Sequence, residues 1–233
     1  MKKLLSLTIS FLFFVSCTPN INNNTPVANQ VNIPESSNKE NEMSSHLDTA
    51  YSYPIVQDSA LLYQQDFENG NTDGLFDFGY ENFNIVTEDT NNHIFCNDQS
   101  SGYLGFTFGG PTWDNYAVEI EMKVLDWEDY PDTPSVVDLM TRLERYKYLM
   151  YSGKLVFGYQ FAALTYNEPY IEYAIENMKL EKDTWYKMRM EAAGKDIRFY
   201  VNNHLIGTAQ DSQRMVGKAA FQVSPKVRSC VDN

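Results

Sequence analysis

Residues 116–124 alternate with a period of two: Val118, Ile120, Met122 and Val124 on one side, Glu119, Glu121 and Lys123 on the other. Successive side chains of a strand point to opposite faces, so this segment has one buried face and one wet face. Residues 185–191 repeat the pattern with Met188 and Met190. Further short runs at 197–201, 204–208, 217–223 and 227–231 are punctuated by Gly, Asn and Asp. Asn202-Asn203 reads as a two-residue hairpin turn, because Asn tolerates positive φ. Upstream, strands are predicted at 62–67, 84–87, 93–96, 103–108, 136–143, 146–151, 155–159 and 170–176. No part of residues 59–233 carries a long helical stripe. Many short strands without helices predict an all-β, two-sheet antiparallel sandwich.

Residues 1–16 have a different texture. Met1-Lys2-Lys3 is a short basic start, and an apolar run from Leu4 to Val15 follows. That run is shorter than the roughly 20 apolar residues a membrane-spanning helix needs, so it reads as an export signal. With Val15-Ser16-Cys17 at its end, it resembles a bacterial lipoprotein signal. The resemblance implies cleavage before Cys17 and lipidation of its thiol, holding the protein at the cell membrane. Residues 17–58 are rich in Asn, Pro, Thr and Ser, with too few large apolar groups to offset ordering entropy. They read as a flexible tether, although Tyr51 and Tyr53 are places where docking onto the domain would begin. The chain thus divides into a signal (1–16), a tether (17–58) and a single domain (59–233).

Charge narrows the partners. The 18 basic and 31 acidic residues give a net charge of −13, and loss of Lys2 and Lys3 takes the mature chain to about −15. Such a surface repels phosphate backbones, which excludes nucleic acid, and it offers no polybasic patch for lipid headgroups. The lipid on Cys17 would be the only membrane contact. With Cys17 occupied, Cys96 and Cys230 remain. Two thiols in an oxidising compartment invite a disulfide, and two separate buried thiols are the alternative; the sequence leaves both open.

The closing half carries a resemblance. It runs Asp183-Thr184-Trp185-Tyr186, then Gly194-Lys195-Asp196-Ile197-Arg198-Phe199-Tyr200-Val201-Asn202-Asn203, then His204-Leu205-Ile206-Gly207, Asp211, Gly217 and Phe221. In order and spacing this is similar to the concanavalin A-like lectin and glucanase superfamily, including its laminin-G-like and 3-keto-glycoside-hydrolase-like members. Asp66-Phe67-Glu68-Asn69-Gly70 looks like that family's opening strand and turn. Val231-Asp232-Asn233 looks like the onset of its closing strand, which normally runs on. The resemblance implies a jelly roll over roughly residues 60–233. Trp185 is expected to plug the space between the sheets, and Gly194 to permit a tight reversal.

The resemblance also raises glycan chemistry. Paired carboxylates hydrolyse glycosides, and glucanases of this superfamily carry an E-x-D-x-x-E strand. Here Glu119 and Glu121 are followed by Val124 where the third acid belongs, so these groups read as a solvated strand face. Arg142 matches the arginine of the 3-keto-glycoside hydrolases, but the Asn-Ser-Gly run before it is replaced by Val136-Val137-Asp138. His46, His93 and His204 are scattered without zinc-binding spacing. Calcium is the one cofactor the sequence suggests, where Asp66, Glu68 and Asp232 would meet as oxygen ligands if the first and last strands pair.

Aromatic residues are the stronger signal. Seven tyrosines from Tyr146 to Tyr173 crowd around Arg142, Glu144 and Arg145, and Trp113 and Trp127 flank the alternating strand. Flat rings with polar edges suit sugar C–H faces and hydroxyls, although about half of such rings belong in a core. Trp127, Tyr130, Arg142, Tyr148 and Tyr166 are the surface candidates for ligand binding. The leading expectation is a lipid-anchored cell-envelope protein whose domain binds a polysaccharide or glycoconjugate without turning it over. A glycoside hydrolase and a protein-interaction or adhesion module of laminin-G type are the alternatives.

Overall fold

The computed structural model describes residues 61–76, 82–88, 92–98, 101–128, 134–144 and 147–232. The expected signal and tether, with Cys17, and Tyr130 lie outside the described residues. The described strands are β1 (Phe83–Thr87), β2 (His93–Asn97), β3 (Leu104–Phe108), β4 (Tyr116–Trp127), β5 (Val136–Glu144), β6 (Leu149–Val156), β7 (Phe161–Asn167), β8 (Ile171–Asn177), β9 (Trp185–Ala193), β10 (Asp196–Val201), β11 (His204–Gln210), β12 (Lys218–Val223) and β13 (Val227–Asp232). They form two antiparallel sheets. One has seven strands in the order β1-β2-β13-β4-β9-β10-β11, and the other has six in the order β3-β12-β5-β6-β7-β8. This is the sandwich that the alternating pattern predicts.

The core lies between the sheets. Val118, Ile120, Met122 and Val124 of β4 and Met188 and Met190 of β9 pack against Phe106, Leu139, Leu155, Leu164 and Phe221 of the opposite sheet. Gly153 of β6 has no side chain because none fits: a Cβ there would lie 2.3 Å from the Phe199 ring. Tyr116 ties the layers together at one end. Its hydroxyl accepts the Arg142 N–H at 2.6 Å and lies 3.2 Å from the Gly217 and Lys218 carbonyls, either of which can take its proton. Burial pushes this phenol well above the usual tyrosine range.

Cys96 and Cys230 face each other across the β2–β13 ladder and form a disulfide. Of the two alternatives left by the sequence, the bridge is the one found.

Several expected elements change. The 62–67 strand does not form. The Gln65 side chain accepts the Phe67 N–H, Asp66 accepts the Glu68 N–H, and Phe67 has φ 60°. Such local side-chain bonds replace a ladder with turns. The separate runs at 146–151 and 155–159 give way to one strand, β6, followed by a turn. β7 was not anticipated, because Phe161-Ala162-Ala163-Leu164-Thr165-Tyr166-Asn167 lacks polar alternation. Five of its seven residues are buried, so both its faces read as core. Trp185 does not plug the core. Tyr186 takes the inward position at 5 % exposure, and Trp185 lies on the outer face beneath the Lys123 ammonium, 4.9 Å from its ring. Alternation assigns 186, 188 and 190 to one side, and Trp185 falls on the other.

Candidate functional site

The two outer faces of the sandwich differ in chemistry. On the seven-stranded sheet, charges neutralise one another. Glu119 pairs with Lys187 at 2.6 Å and with Arg189 at 3.5 Å, and Arg189 also holds Glu191 at 2.9 Å. Lys123 is held by Glu88 and by Asp183. Burial opposes the charge on Lys123, but hydrogen bonds to these two carboxylates hold its pKa above the ordinary lysine value. Glu119 is thus engaged by two cations.

The six-stranded sheet presents a floor of short and polar side chains. Pairing across its strands aligns Gly105, Gln222, Asp138, Lys154, Ala163 and Ile175 in one row. The adjacent row is Thr107, Ala220, Met140, Ser152, Thr165 and Glu172. Their chain neighbours Leu104, Phe106, Val137, Leu139, Leu155 and Phe221 point into the core, so these two rows point outward. Gly105 leaves one end of the floor bare, because β3 approaches β12 so closely that a Cβ would lie 2.2 Å from the Phe221 carbonyl oxygen.

A polar cluster stands at the centre of this floor. The Ser152 hydroxyl donates to Asp138 Oδ1 at 2.6 Å, and Lys154 Nζ lies 3.6 Å from the same oxygen. Asp138 is 6 % exposed and Ser152 2 %. The Asp138 charge is the main cause that raises the Lys154 pKa, so the ammonium persists throughout the neutral range. Two tyrosines rise beside the cluster. Tyr170 lies under Lys154 Nζ, 5.9 Å from its ring, and is 61 % exposed. Tyr103 is 55 % exposed; partial burial, then the Asp138 charge, raise its pKa. Further along the outer face, Phe161 stacks on the exposed Tyr159 at 6.4 Å. The arrangement offers flat apolar rings next to one carboxylate, one ammonium and one hydroxyl. That combination can hold a polyhydroxylated ligand by stacking and by donor–acceptor pairs.

The residues singled out from sequence do not assemble there. Arg142 is fully buried. Its guanidinium donates to the carbonyls of Asp114, Gly194 and Arg214 at 2.8–3.3 Å, so it is a structural clamp and not a surface group. Tyr166 is 2 % exposed and packs on Tyr151, with ring centroids 4.9 Å apart, inside the core. Burial is also what pushes the Tyr151 hydroxyl up to about 12. Trp127 is half-buried against Phe157 and lies 4.7 Å beneath Lys182 Nζ. Tyr148 is exposed but precedes β6, whereas Phe157 and Trp127 lie beyond its other end. Eight residues of strand separate them, roughly 25 Å. Tyr130 lies outside the described residues. Asp138, Ser152, Lys154 and Tyr103 were missed, and the signal for them was a polar residue inside the apolar run of 136–140.

Among the described residues, no three His, Cys, Asp or Glu side chains are grouped to hold an ion. Asp66, Glu68 and Asp232 do not form the expected cluster. Glu68 instead accepts the His93 N–H at 2.9 Å.

No protein-family model matches the chain, and no curated protein is similar to it in sequence. Solved structures do match its fold. The carbohydrate-binding module CBM66 from Bacillus subtilis has a TM-score of 0.51, with 15 % identity, over 65 % of this chain and 92 % of that one. A prokaryotic β-1,3-1,4-glucanase (lichenase) derived from a mouse hindgut metagenome also has a TM-score of 0.51, with 13 % identity, over 72 % of this chain and 94 % of that one. At such identities the likeness is one of fold, and with the two antiparallel sheets it shows that this chain carries a concanavalin A-like jelly roll.

Proposed function

We propose that the domain binds a polysaccharide on the outer face of its six-stranded sheet, and that it does so from the surface of a bacterial cell as an exported, lipid-anchored protein. The observation that carries the binding reading is the pair of half-exposed rings, Tyr103 and Tyr170, beside the Asp138–Ser152–Lys154 cluster. Rings supply stacking area at little entropic cost, and the cluster supplies an acceptor and a donor for hydroxyls. Carbohydrate binding is also what the name of the similar Bacillus subtilis module states. The anchor rests on the basic, apolar and Cys17-terminated leader. A tether would let weakly binding copies act together on one polymer.

The test is titration of the mature chain against a panel of soluble polysaccharides, with released reducing ends assayed alongside. Saturable binding without released ends is expected. Tyr103→Ala and Tyr170→Ala should each weaken it by about tenfold with unchanged circular dichroism. Tyr148→Ala should leave it unchanged. Because the Lys154 pKa is raised, affinity should be flat from about pH 6 to 9 and fall only above about 10.5. Loss in Tyr148→Ala with none in the other two would move the site. Released ends would replace binding with hydrolysis.

A further inference from the structure

The charges on the outer face of the six-stranded sheet almost cancel. Among the described residues, the charged side chains in its two central outward rows are Asp138, Lys154 and Glu172. The row beside them, Val136, Val156, Phe161 and Asn177, is uncharged. Lys154 lies 3.6 Å from Asp138 and neutralises it, and Glu172 then leaves this floor net negative. Glu172 is felt at the binding ring Tyr170. Burial comes first among the causes that raise the Tyr170 pKa, and the charges of Glu172 and Asp138 add to it against the pull of Lys154. Lys218 on β12 reaches the other way. Its ammonium lies 5.5 Å from the ring of Phe76, which pairs with the outer edge of β3. The net charge of −13 on the whole chain adds a negative field around the face.

We infer, taking the binding face as proposed above, that Asp138 makes it selective for uncharged polysaccharides and turns away polyanionic ones such as polyuronates. The reason lies in what each ligand asks of Lys154. The Ser152 hydroxyl and Lys154 both engage Asp138 Oδ1, which leaves Oδ2 to a ligand. One sugar hydroxyl can donate to Oδ2 while its neighbour accepts from the Lys154 ammonium, and the ion pair stays intact. A uronate carboxylate must instead draw Lys154 to itself. Asp138 is 6 % exposed, so its charge would be left with the Ser152 hydroxyl in place of a countercharge. Removing one partner of a buried ion pair is strongly unfavourable. The incoming carboxylate would also meet Glu172 beside Tyr170 as a like charge. Like charges forced together suppress the wrong ligand without any added contact to the right one. Asp138 is thus the specificity-determining residue, and Tyr103 and Tyr170 supply stacking that is indifferent to ligand charge.

Titration of the full mature chain at about 20 and about 150 mM salt tests this, with dextran, galactomannan and soluble starch as neutral probes and alginate as the polyuronate. At least one neutral chain should saturate, and its affinity should change by less than about twofold between the two salts. Alginate should saturate at neither. Asp138→Asn keeps an acceptor for the Ser152 hydroxyl and releases Lys154, and circular dichroism checks its fold. At the lower salt it should bind alginate at least about tenfold more tightly than the unsubstituted chain. Most of that gain should vanish at the higher salt, and all of it when Lys154→Met is added. Glu172→Gln, at an exposed position, should shift alginate the same way by a smaller factor. Alginate saturating the unsubstituted chain, and ceasing to in Tyr103→Ala, would overturn the selectivity and leave the binding face standing. So would refusal of alginate by folded Asp138→Asn and Glu172→Gln alike while a neutral probe still binds. Absence of binding to every probe in all of these chains would overturn the binding face and the selectivity with it.

Discussion

Arg142 is a surface candidate in the sequence, through its resemblance and the tyrosines around it, and the structure buries it completely. Counting by twos along β5 from the buried Val137 and Leu139 leaves Arg142 facing outward, where a cation suits a ligand. Instead Arg142 takes φ 54°, and the ladder to β6 shifts between Thr141 and Glu144. The side chain turns into the end of the sandwich and satisfies carbonyls from three separate loops. Beside it, Arg214 donates to the Arg142 carbonyl at 3.1 Å and pairs with Glu144. Bulges of this kind leave no mark in a single sequence, so that part of the reading was out of reach. Asp138 was legible as an odd polar residue among Val137, Leu139 and Met140. Its partners Ser152 and Lys154 became visible only with the register of β6. The prediction at this scale is that Arg142→Met destabilises the fold by about 3–5 kcal/mol, because buried carbonyls lose a charged donor. Arg142→Lys should recover less than half of that, since one ammonium cannot reach three carbonyls. Urea denaturation checks both. A loss below 1 kcal/mol for Arg142→Met would mean that the clamp is not structural.

At the scale of elements, strands with one wet face were readable and strands buried on both faces were not. β4, β9 and β10 follow their alternation closely, whereas β11 buries Ile206 and Ala209, three apart, because its ladder to β10 shifts between Phe199 and Tyr200. β7 escaped because Ala163 and Thr165, on its outer side, are as buried as Ala162 and Leu164 on its inner side. The candidate site sits on such strands, so the pattern that revealed the fold concealed the site. The Asn202-Asn203 turn was readable for a chemical reason. Both residues have positive φ, 50° and 64°, as a hairpin following the sheet twist requires. The Asn202 side chain adds a second role by accepting the Lys187 N–H at 2.8 Å. Asn203→Gly should therefore be neutral or stabilising by less than about 1 kcal/mol, whereas Asn203→Val should cost about 1–2 kcal/mol. In a domain of this size that difference corresponds to roughly 2–8 °C in melting temperature. Equal melting temperatures for the two variants would show that the turn relaxes without strain.

For the whole molecule, the Cys96–Cys230 bridge is the covalent link between an early strand and the last. The sequence separation is 134 residues. In the chain-entropy model, closing a loop of that size removes about 4–5 kcal/mol of unfolded-state freedom. The bridge also fixes β13 between β2 and β4. Two outcomes follow from these positions. Reduction, or the double change Cys96→Ala with Cys230→Ala, should lower the melting temperature by roughly 10–15 °C. The sheets should still form, because the core between them contains no cysteine contact on which it depends. The loss should also appear locally, as faster amide exchange along β13 before any along β5 or β6, since β13 has lost its covalent hold on β2. Calorimetry with and without reductant measures the first outcome and hydrogen exchange the second. A melting temperature indifferent to reductant would mean that the thiols are unpaired in solution. It would also remove one support for the exported location, because a bridge that carries this much stability is maintained only where thiols are oxidised.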